Sequence, residues 1–457
     1  MPLEHQDYID AAVRTILLRR DEVRRFQDAC AGKYEMTIGS DRFRRHMLRQ
    51  YSRLADNLAP RVVSAVADRL TIKSIDPYTP NETTENEIKR EMRRIDFDEF
   101  SNDVHYAALR DGAVYVVGHK DETGSIHIAL NTADVFEVAR DDFGRLVAGV
   151  KVWTDDSRRW RMTVYYKDRT ERYYLPNADS VSWAATILTD KPINYGQLQP
   201  FTADGGDAAV SHGFKSLPVV PFINQPDTRR RGVSELASVL PLQLALNAAM
   251  INLLSSMEAW SLPTRYITGL MSTYDDNGNI KAPELKAGGT WVFGDTEVNI
   301  GQLPAADLRM AIESINDLRH EIARVSGIPI HMLQLTTAYP SGDALKVAES
   351  SLIGKIRDRQ IRFGNAWENV FSQLLIPNLA DDLLNCRWES AEIVSQLDSW
   401  QAAVLQRNAG VSLRAILQER GYTDPEIDKI LEDRRDEDQA NQELTARLFN
   451  GGNVPMP

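Results

Sequence analysis

Residues 304–346 read PAADLRMAIESINDLRHEIARVSGIPIHMLQLTTAYPSGDALK, and the reading of the whole chain starts from them. Pro304 suits a first helical turn, where a missing N–H costs nothing. Leu308, Ile312, Ile315, Leu318, Ile322 and Val325 then fall on one face at helical spacing. Gly327 supplies the stop, and Ile328 to Pro340 form a loop. Ser341 opens a long helix predicted to reach about Ile376, where Pro377 ends it.

Working back from this run, Thr264 to Leu303 is predicted as a short β segment. Its Asp275-Asp276-Asn277-Gly278 is a hairpin-turn signal, and Trp291-Val292-Phe293 has strand composition. Ser234 to about Trp260 has helical texture. Its stretch Leu236 to Met257 comes close to membrane-spanning length, but Pro241, Gln243, Asn247, Asn252 and two serines interrupt it, so a helix buried against protein is expected. Residues 176–231 are rich in Gly, Pro and Asp and predict a long irregular connection with a strand near Val219 to Phe222. Ala113 to Leu175 is β-like, with apolar runs separated by turn clusters such as Asp121-Glu122-Thr123-Gly124 and Asp141-Asp142-Phe143-Gly144. Before it come four helices: Tyr8 to Ala29, Ala59 to Leu70, Glu85 to Arg94 behind a Thr84/Glu87 capping box, and one opened by Asp96 or Asp98 that ends at Gly112. The last seventy residues are helical and acidic, with a flexible tail from Asn450. The fold class expected is α+β.

Composition narrows the function. The chain has 457 residues, 43% hydrophobic and 26% charged, the proportions of a folded protein with two or three sub-structures. Two cysteines, Cys30 and Cys386, exclude a disulfide framework and fit synthesis in a reducing cytosol. The acidic N-terminus carries no export signal. A formal net charge of −12 opposes tight binding of nucleic acid by counterion release, yet is compatible with a wall that lets DNA slide past.

Chemistry is sparse. Gly112, Gly118, His119 and Lys120 miss the spacing of a phosphate-binding loop. His320-Glu321 begins like a zinc-protease helix, but Arg324 stands where the second His must be. Gly232-Val233-Ser234 lacks the closing Gly of a nucleophile elbow. No catalytic residue, metal site or cofactor is expected. Arg158, Arg159, Trp160 and Arg161 with Tyr165, Tyr166, Lys167, Arg169, Arg172, Tyr173 and Tyr174 are basic with interleaved aromatics. They form either a stacking surface for single strands or a twisted hairpin with solvated arginines, and the hairpin is the expectation.

Three segments carry a resemblance. The first is Asn57-Leu58-Ala59 with Val62 to Leu70. The second is Gly232-Val233-Ser234-Glu235-Leu236, then Pro241-Leu242-Gln243 and Leu246-Asn247. The third is Ser326 to His331, then Pro340 to Lys346 and Arg357-Asp358-Arg359-Gln360. In register, they resemble the portal proteins of tailed double-stranded DNA phages, head-to-tail connectors of the kind found in siphophages of actinobacteria. Ile328 departs from the Thr or Ser frequent there, and residues 176–231 carry none of the resemblance.

The resemblance implies a portal fold: an α/β wing (1–231), a stem helix (232–262), a small β-containing clip (263–303), a second stem helix (304–326), a tunnel loop (327–340), a long wing helix (341–385), and a helical crown with a flexible tail (386–457). It implies a homo-oligomeric ring of 12 copies at one capsid vertex, assembled in the host bacterial cytoplasm and carried in the virion, through which double-stranded DNA is packaged and ejected. Partners would be terminase, then head-completion or adaptor proteins, together with major capsid and scaffolding proteins, and no membrane. The DNA-channel residues would be Gln334, Thr336, Thr337, Ala338 and Tyr339, polar or small and without a cation. Asp275, Asp276, Asn277, Gly278 and Asn279 would form the docking tip of the clip. On the second stem helix, Glu313, Asp317 and Glu321 form an acidic stripe for the channel or for a subunit interface with Arg309 or Arg319. The rivals are another capsid connector or minor head protein, and a nucleic-acid enzyme.

Overall fold

The computed structural model describes residues 3–34, 55–79, 81–121, 123–156, 159–175, 195, 198–201, 208–228, 230–261, 265–268, 299–302, 308–333, 342–376, 379, 384–392, 396–420, 422 and 424–450. Two compact units divide after Ala391.

The large unit starts with α1 (Gln6–Cys30), whose Ile9, Val13, Ile16 and Val23 are buried at helical spacing. α2 (Ala59–Ala67) follows with a proline in its first turn and a face of Val62, Val63 and Val66. β1 (Ile72–Pro77) leads to α3 (Glu82–Arg94). That helix is capped by Asn81, whose side chain accepts from the Thr83 and Thr84 amides, so it opens one turn before the predicted Thr84/Glu87 box. An Asn carbonyl placed in extended backbone satisfies the same orphan amides, and it comes first in the chain. α4 (Phe97–Asp111) ends at Gly112 with φ 86°.

The β region is antiparallel throughout. β2 (Ala113–Lys120) is the central strand of a three-stranded sheet, between β3 (Ile126–Thr132) and, much later in the chain, β10 (Val219–Ile223). β4 (Phe136–Arg140), β5 (Leu146–Thr154), β6 (Trp160–Tyr165), β7 (Arg169–Tyr174), β8 (Gln199–Pro200) and β9 (Ala209–Ser211) form a six-stranded sheet with β4 on one edge. α1 packs along β4 and β5, and Ile9, Val13 and Ile16 share a core with Val150, Val152, Met162 and Val164.

Next come α5 (Leu240–Ser261), β11 (Arg265–Thr268), β12 (Asn299–Gln302), α6 (Arg309–Ser326), the short α7 (Ile330–Leu333) and α8 (Gly342–Asn369), which continues as a π-helical turn over Val370–Leu375. β11 and β12 pair with each other. β13 (Leu384–Trp388) returns to pair with β1, a ladder the sequence reading did not foresee because it assigned this stretch to the helical end. The principal core gathers around α8. Phe97 and Phe222 meet Trp367 at 4.8 and 4.9 Å between ring centres, and His105 stacks on Phe363 at 5.4 Å.

α5 and α6 pack as a pair that leaves apolar surface uncovered. Ile315 and Ile322 are buried, but Met310, Ile312 and Val325 of α6 and Met257 of α5 are exposed. Leu240–Met257 is long and apolar enough to cross a membrane by length and composition, yet 22% of it is buried in this chain. The expected burial is therefore incomplete within this chain, because α5 is apolar around most of its circumference and one neighbouring helix covers only one side.

The second unit holds α9 (Gln396–Asn408), α10 (Leu413–Glu419), with Ser412 accepting from the Ala415 amide, and α11 (Asp424–Asn450). Ala403, Ile416, Leu417 and Ile427 are its buried apolar residues among those described. From Glu432 to Glu443, α11 is exposed on every face.

Candidate functional site

The most connected polar cluster in the large unit lies where the α5–α6 pair roots in the body. Two chain segments cross at Gly112 and Gly232. A Cβ on Gly112 would lie 2.8 Å from the Gly232 carbonyl oxygen, and one on Gly232 would overlap the Gly112 carbonyl. Only glycines let backbones approach so closely, and Gly112 also needs its left-handed φ of 86°. Around the crossing, the Asn224 amide donates to Gly112 O (2.9 Å), Val233 N–H to Asn224 O (2.8 Å) and Glu235 N–H to Leu109 O (3.0 Å). Ser234 Oγ donates to the Arg110 carbonyl.

Glu235 is the charged centre. It is ion-paired with Lys355, and Arg359 Nη2 reaches Oε1 at 2.8 Å, where Asn224 Nδ2 also donates at 3.1 Å. The Glu235 and Arg359 side chains are 3% and 4% exposed. Burial works against the carboxylate charge, but the Lys355 ammonium and the Arg359 guanidinium outweigh it and hold the pKa below the ordinary value. Lys355 Nζ also donates to Ser326 O at 2.9 Å, so one ammonium joins the start of the α5 arm, the end of α6 and the body of α8.

A second polar rung lies along α5. Fully buried Gln243 accepts from Leu58 N–H (3.0 Å) and donates to Asp56 O (2.6 Å) and Asn247 Oδ1 (3.0 Å). Arg319 of α6 meets Asp56 at 2.7 Å. Asn57 Oδ1 accepts from the Tyr34 hydroxyl. Elsewhere on α8, Glu349 pairs with Arg69 at 3.0 Å and His331 at 3.4 Å. The segment leading into residues 334–341 is thereby tied to α8 through His331.

This arrangement has no use for proton transfer. Glu235 stays ionised between two cations, and among the described residues no group of three or more His, Cys, Asp or Glu could hold a metal ion. Its capacity is mechanical: it fixes the helix roots with charge-assisted bonds shielded from water.

Of the residues expected from sequence, Gln334, Thr336, Thr337, Ala338 and Tyr339, and Asp275, Asp276, Asn277, Gly278 and Asn279, lie outside the described residues. Glu313 and Asp317 are exposed on α6, Glu321 pairs with Arg324 at 2.6 Å, and Arg319 is engaged by Asp56. Arg309 is exposed at the first turn of α6. The basic aromatic stretch forms β6 and β7, as a hairpin should. Arg161 lies over the Phe201 ring at 3.8 Å and pairs with Asp155, while Arg169 pairs with Glu4, Asp168 and Glu171. Its central cations are neutralised within the chain.

Sequence reasoning missed Lys355, Asn224, Glu349 and Arg69 as members of a site. Lys355 and Arg359 stand at i, i+4 and resemble solvated helix charges. The one available signal was the Arg357-Asp358-Arg359-Gln360 segment quoted for the resemblance, which contains Arg359.

The body holds an apolar helix pair at its root through one buried charged cluster and two glycines at a backbone crossing. The chain is a member of the phage portal protein family of the SPP1 Gp6-like type, whose sequence profile matches residues 50–440, a structural and non-enzymatic family. Curated portal proteins of Mycobacterium phage L5 and Mycobacterium phage D29 are 28% identical over 214 residues and 27% identical over 165. These matches cover 42% and 34% of this chain and 44% and 34% of theirs, so the chain spans less than half the length of these curated relatives. Among solved structures, chains from the neck of an empty GTA particle computed with C6 symmetry and of a native one computed with C12 symmetry are similar at 13% and 12% identity. The TM-scores are 0.48 and 0.46, with 85% and 88% of this chain and 95% and 99% of those chains covered.

Proposed function

We propose that this chain is the subunit of a portal ring that conducts double-stranded DNA at one capsid vertex and hydrolyses nothing itself. The observation that carries the reading is membership of the portal family over residues 50–440. The uncovered apolar residues Met257, Met310, Ile312 and Val325 support it, since the α5–α6 pair needs further copies to finish its burial. Twelve copies are the proposed number, with the α5–α6 pair as the stem, 263–303 as the clip, 327–340 as the tunnel loop and the second unit as the crown. The clip, around Asp275 to Asn279, docks terminase first and the head-completion adaptor afterwards. Capsid and scaffolding proteins meet the body of the ring during assembly in the host cytoplasm.

In this reading Gln334 to Tyr339 line the passage without a cation, and exposed Glu313 and Asp317 add a phosphate-repelling or subunit-facing stripe. Negative-stain microscopy of the purified chain, with scaffolding protein present, is expected to show rings with a central hole. A persistent monomer there refutes the ring. Replacing Thr336 and Thr337 by Lys is expected to slow packaging in a salt-relieved manner, because a symmetric cationic collar grips phosphate. Unchanged packaging at low salt removes the loop from the passage.

A further inference from the structure

A different cluster lies where β4, the sheet edge, meets the N-terminal half of α1 and the 227–231 turn. A pocket of about 240 Å³ opens there, lined by Tyr8 and Thr15 of α1, Glu137 and Arg140 of β4, and Arg230 and Arg231. Arg231 is occupied by Asp227 at 3.1 Å. Arg140 donates once, to Gly144 O at 3.1 Å, and the Arg230 guanidinium lies against the same glycine, where an added Cβ would be 3.5 Å from its Cζ. Among the described residues neither Arg140 nor Arg230 has a carboxylate within ion-pair distance. One helical turn beyond Thr15, Arg19 keeps a buried Nη1 without a partner. Arg230 also holds a left-handed φ of 57°, which a side chain adopts only under constraint.

Two neighbouring arginines facing one pocket are unfavourable by themselves. Burial lowers the pKa of Arg140; Glu137 works against this and Arg230 adds to it. In a chain of net charge −12 such a local excess of cations stands against the overall sign. Beside the pocket, at the tip of the β4–β5 turn, Phe143 is 84% exposed, with Arg145 over its ring at 5.6 Å. Arginine and an exposed aromatic side by side are the residue types that dominate interface centres.

We infer that this pocket docks an acidic segment of a partner protein, one carboxylate entering between Arg140 and Arg230 while an apolar neighbour rests on Phe143. A carboxylate fits better than a phosphate group. Glu137 borders the pocket and Asp142 stands by Tyr8, whose hydroxyl meets it at 3.4 Å, so the arginines are already partly offset and one added negative charge is enough to balance them. Ala11, Ala12, Val138 and Ala139, which complete the lining, also accept the methylenes of a Glu side chain.

The test is fluorescence anisotropy of the full chain with a short labelled peptide of alternating Glu and Leu, beside a labelled DNA duplex and a competition with inorganic phosphate. Saturable peptide binding that weakens with salt is expected, about tenfold weaker or worse in Arg140→Gln and in Arg230→Gln. Phe143→Ala is expected to weaken it several-fold. Arg230 and Phe143 are exposed, so their variants keep the fold, which an unchanged melting curve verifies. Absence of saturation, equal binding by the variants, or stronger binding of the duplex or of phosphate at the same site each overturns the proposal.

Discussion

Removing the charge of Glu235 tests the junction most directly. In Glu235→Leu, Lys355 keeps only Ser326 O, and Arg359, whose Nε already lacks a partner, keeps Asp358 at 2.9 Å. Taking one partner from a buried ion pair costs about 3–5 kcal/mol, since the remaining charge is left desolvated. With two cations losing their buried counter-ion at once, the upper part of that range is expected. Replacing all three by apolar residues (Glu235→Leu, Lys355→Met, Arg359→Met) is expected to recover most of the loss, to within about 1–2 kcal/mol of the parent. Urea unfolding at neutral pH, followed by circular dichroism, measures both, and the double-mutant cycles give the coupling. The pH dependence has a definite sign. The carboxylate pKa is depressed on folding, so its contribution is present above the ordinary 4.5 and is lost as the pH falls through the lower folded value. The gap between parent and Glu235→Leu should narrow in that acid range. A loss below about 1 kcal/mol, or a triple variant no more stable than the single one, refutes the buried-pair account.

Gly232→Ala drives a methyl into the Gly112 carbonyl and is expected to lower the melting midpoint by several degrees; an unchanged midpoint means the crossing is looser than described. Gln243→Leu orphans the buried Leu58 N–H and is expected to cost about 1–3 kcal/mol in the same urea assay, whereas a neutral result would make that rung dispensable. Burial drives the His105 pKa down to about 3; Nε2 accepts from Trp367 Nε1 at 2.8 Å, while Nδ1 approaches the Leu70 backbone short of hydrogen-bond geometry. The unfolded imidazole takes a proton first as pH falls, so stability should drop by about 2 kcal/mol between pH 7 and pH 5. A His105→Leu chain should lack that part of the slope, and an identical slope would assign it elsewhere.

Much of the fold was legible because its signals are local. The α1 stripe, the Gly112 and Gly327 stops, and the Asp-rich turns before β5 and after β2 depend on neighbours in sequence. β1 was not: Ile72-Lys73-Ser74-Ile75-Asp76-Pro77 is short and polar, and becomes a strand only because β13 lies beside it. The junction was legible by halves. Gly232 to Leu236 and Gln243 stood out as a pattern, but nothing nearby says that Lys355 and Arg359 turn inward. A helix cation looks solvated until the carboxylate it faces is known. The α6 acids were visible as a stripe, while the pairing of Arg319 with Asp56 was not, since the two lie far apart in sequence.

The β1–β13 ladder has a consequence for how the protein is made. Emergence from the ribosome delivers Ile72–Pro77 long before Leu384–Trp388, and Glu368 Oε1 accepts from the Cys386 amide at 3.0 Å to seat the late strand on α8. Until that strand arrives, β1 presents an open edge and the apolar face of α8 is incompletely covered. A nascent or truncated chain therefore carries sticky surface that a finished chain has hidden. Arrival of β13, rather than folding of the N-terminal half, is then the event that closes this edge.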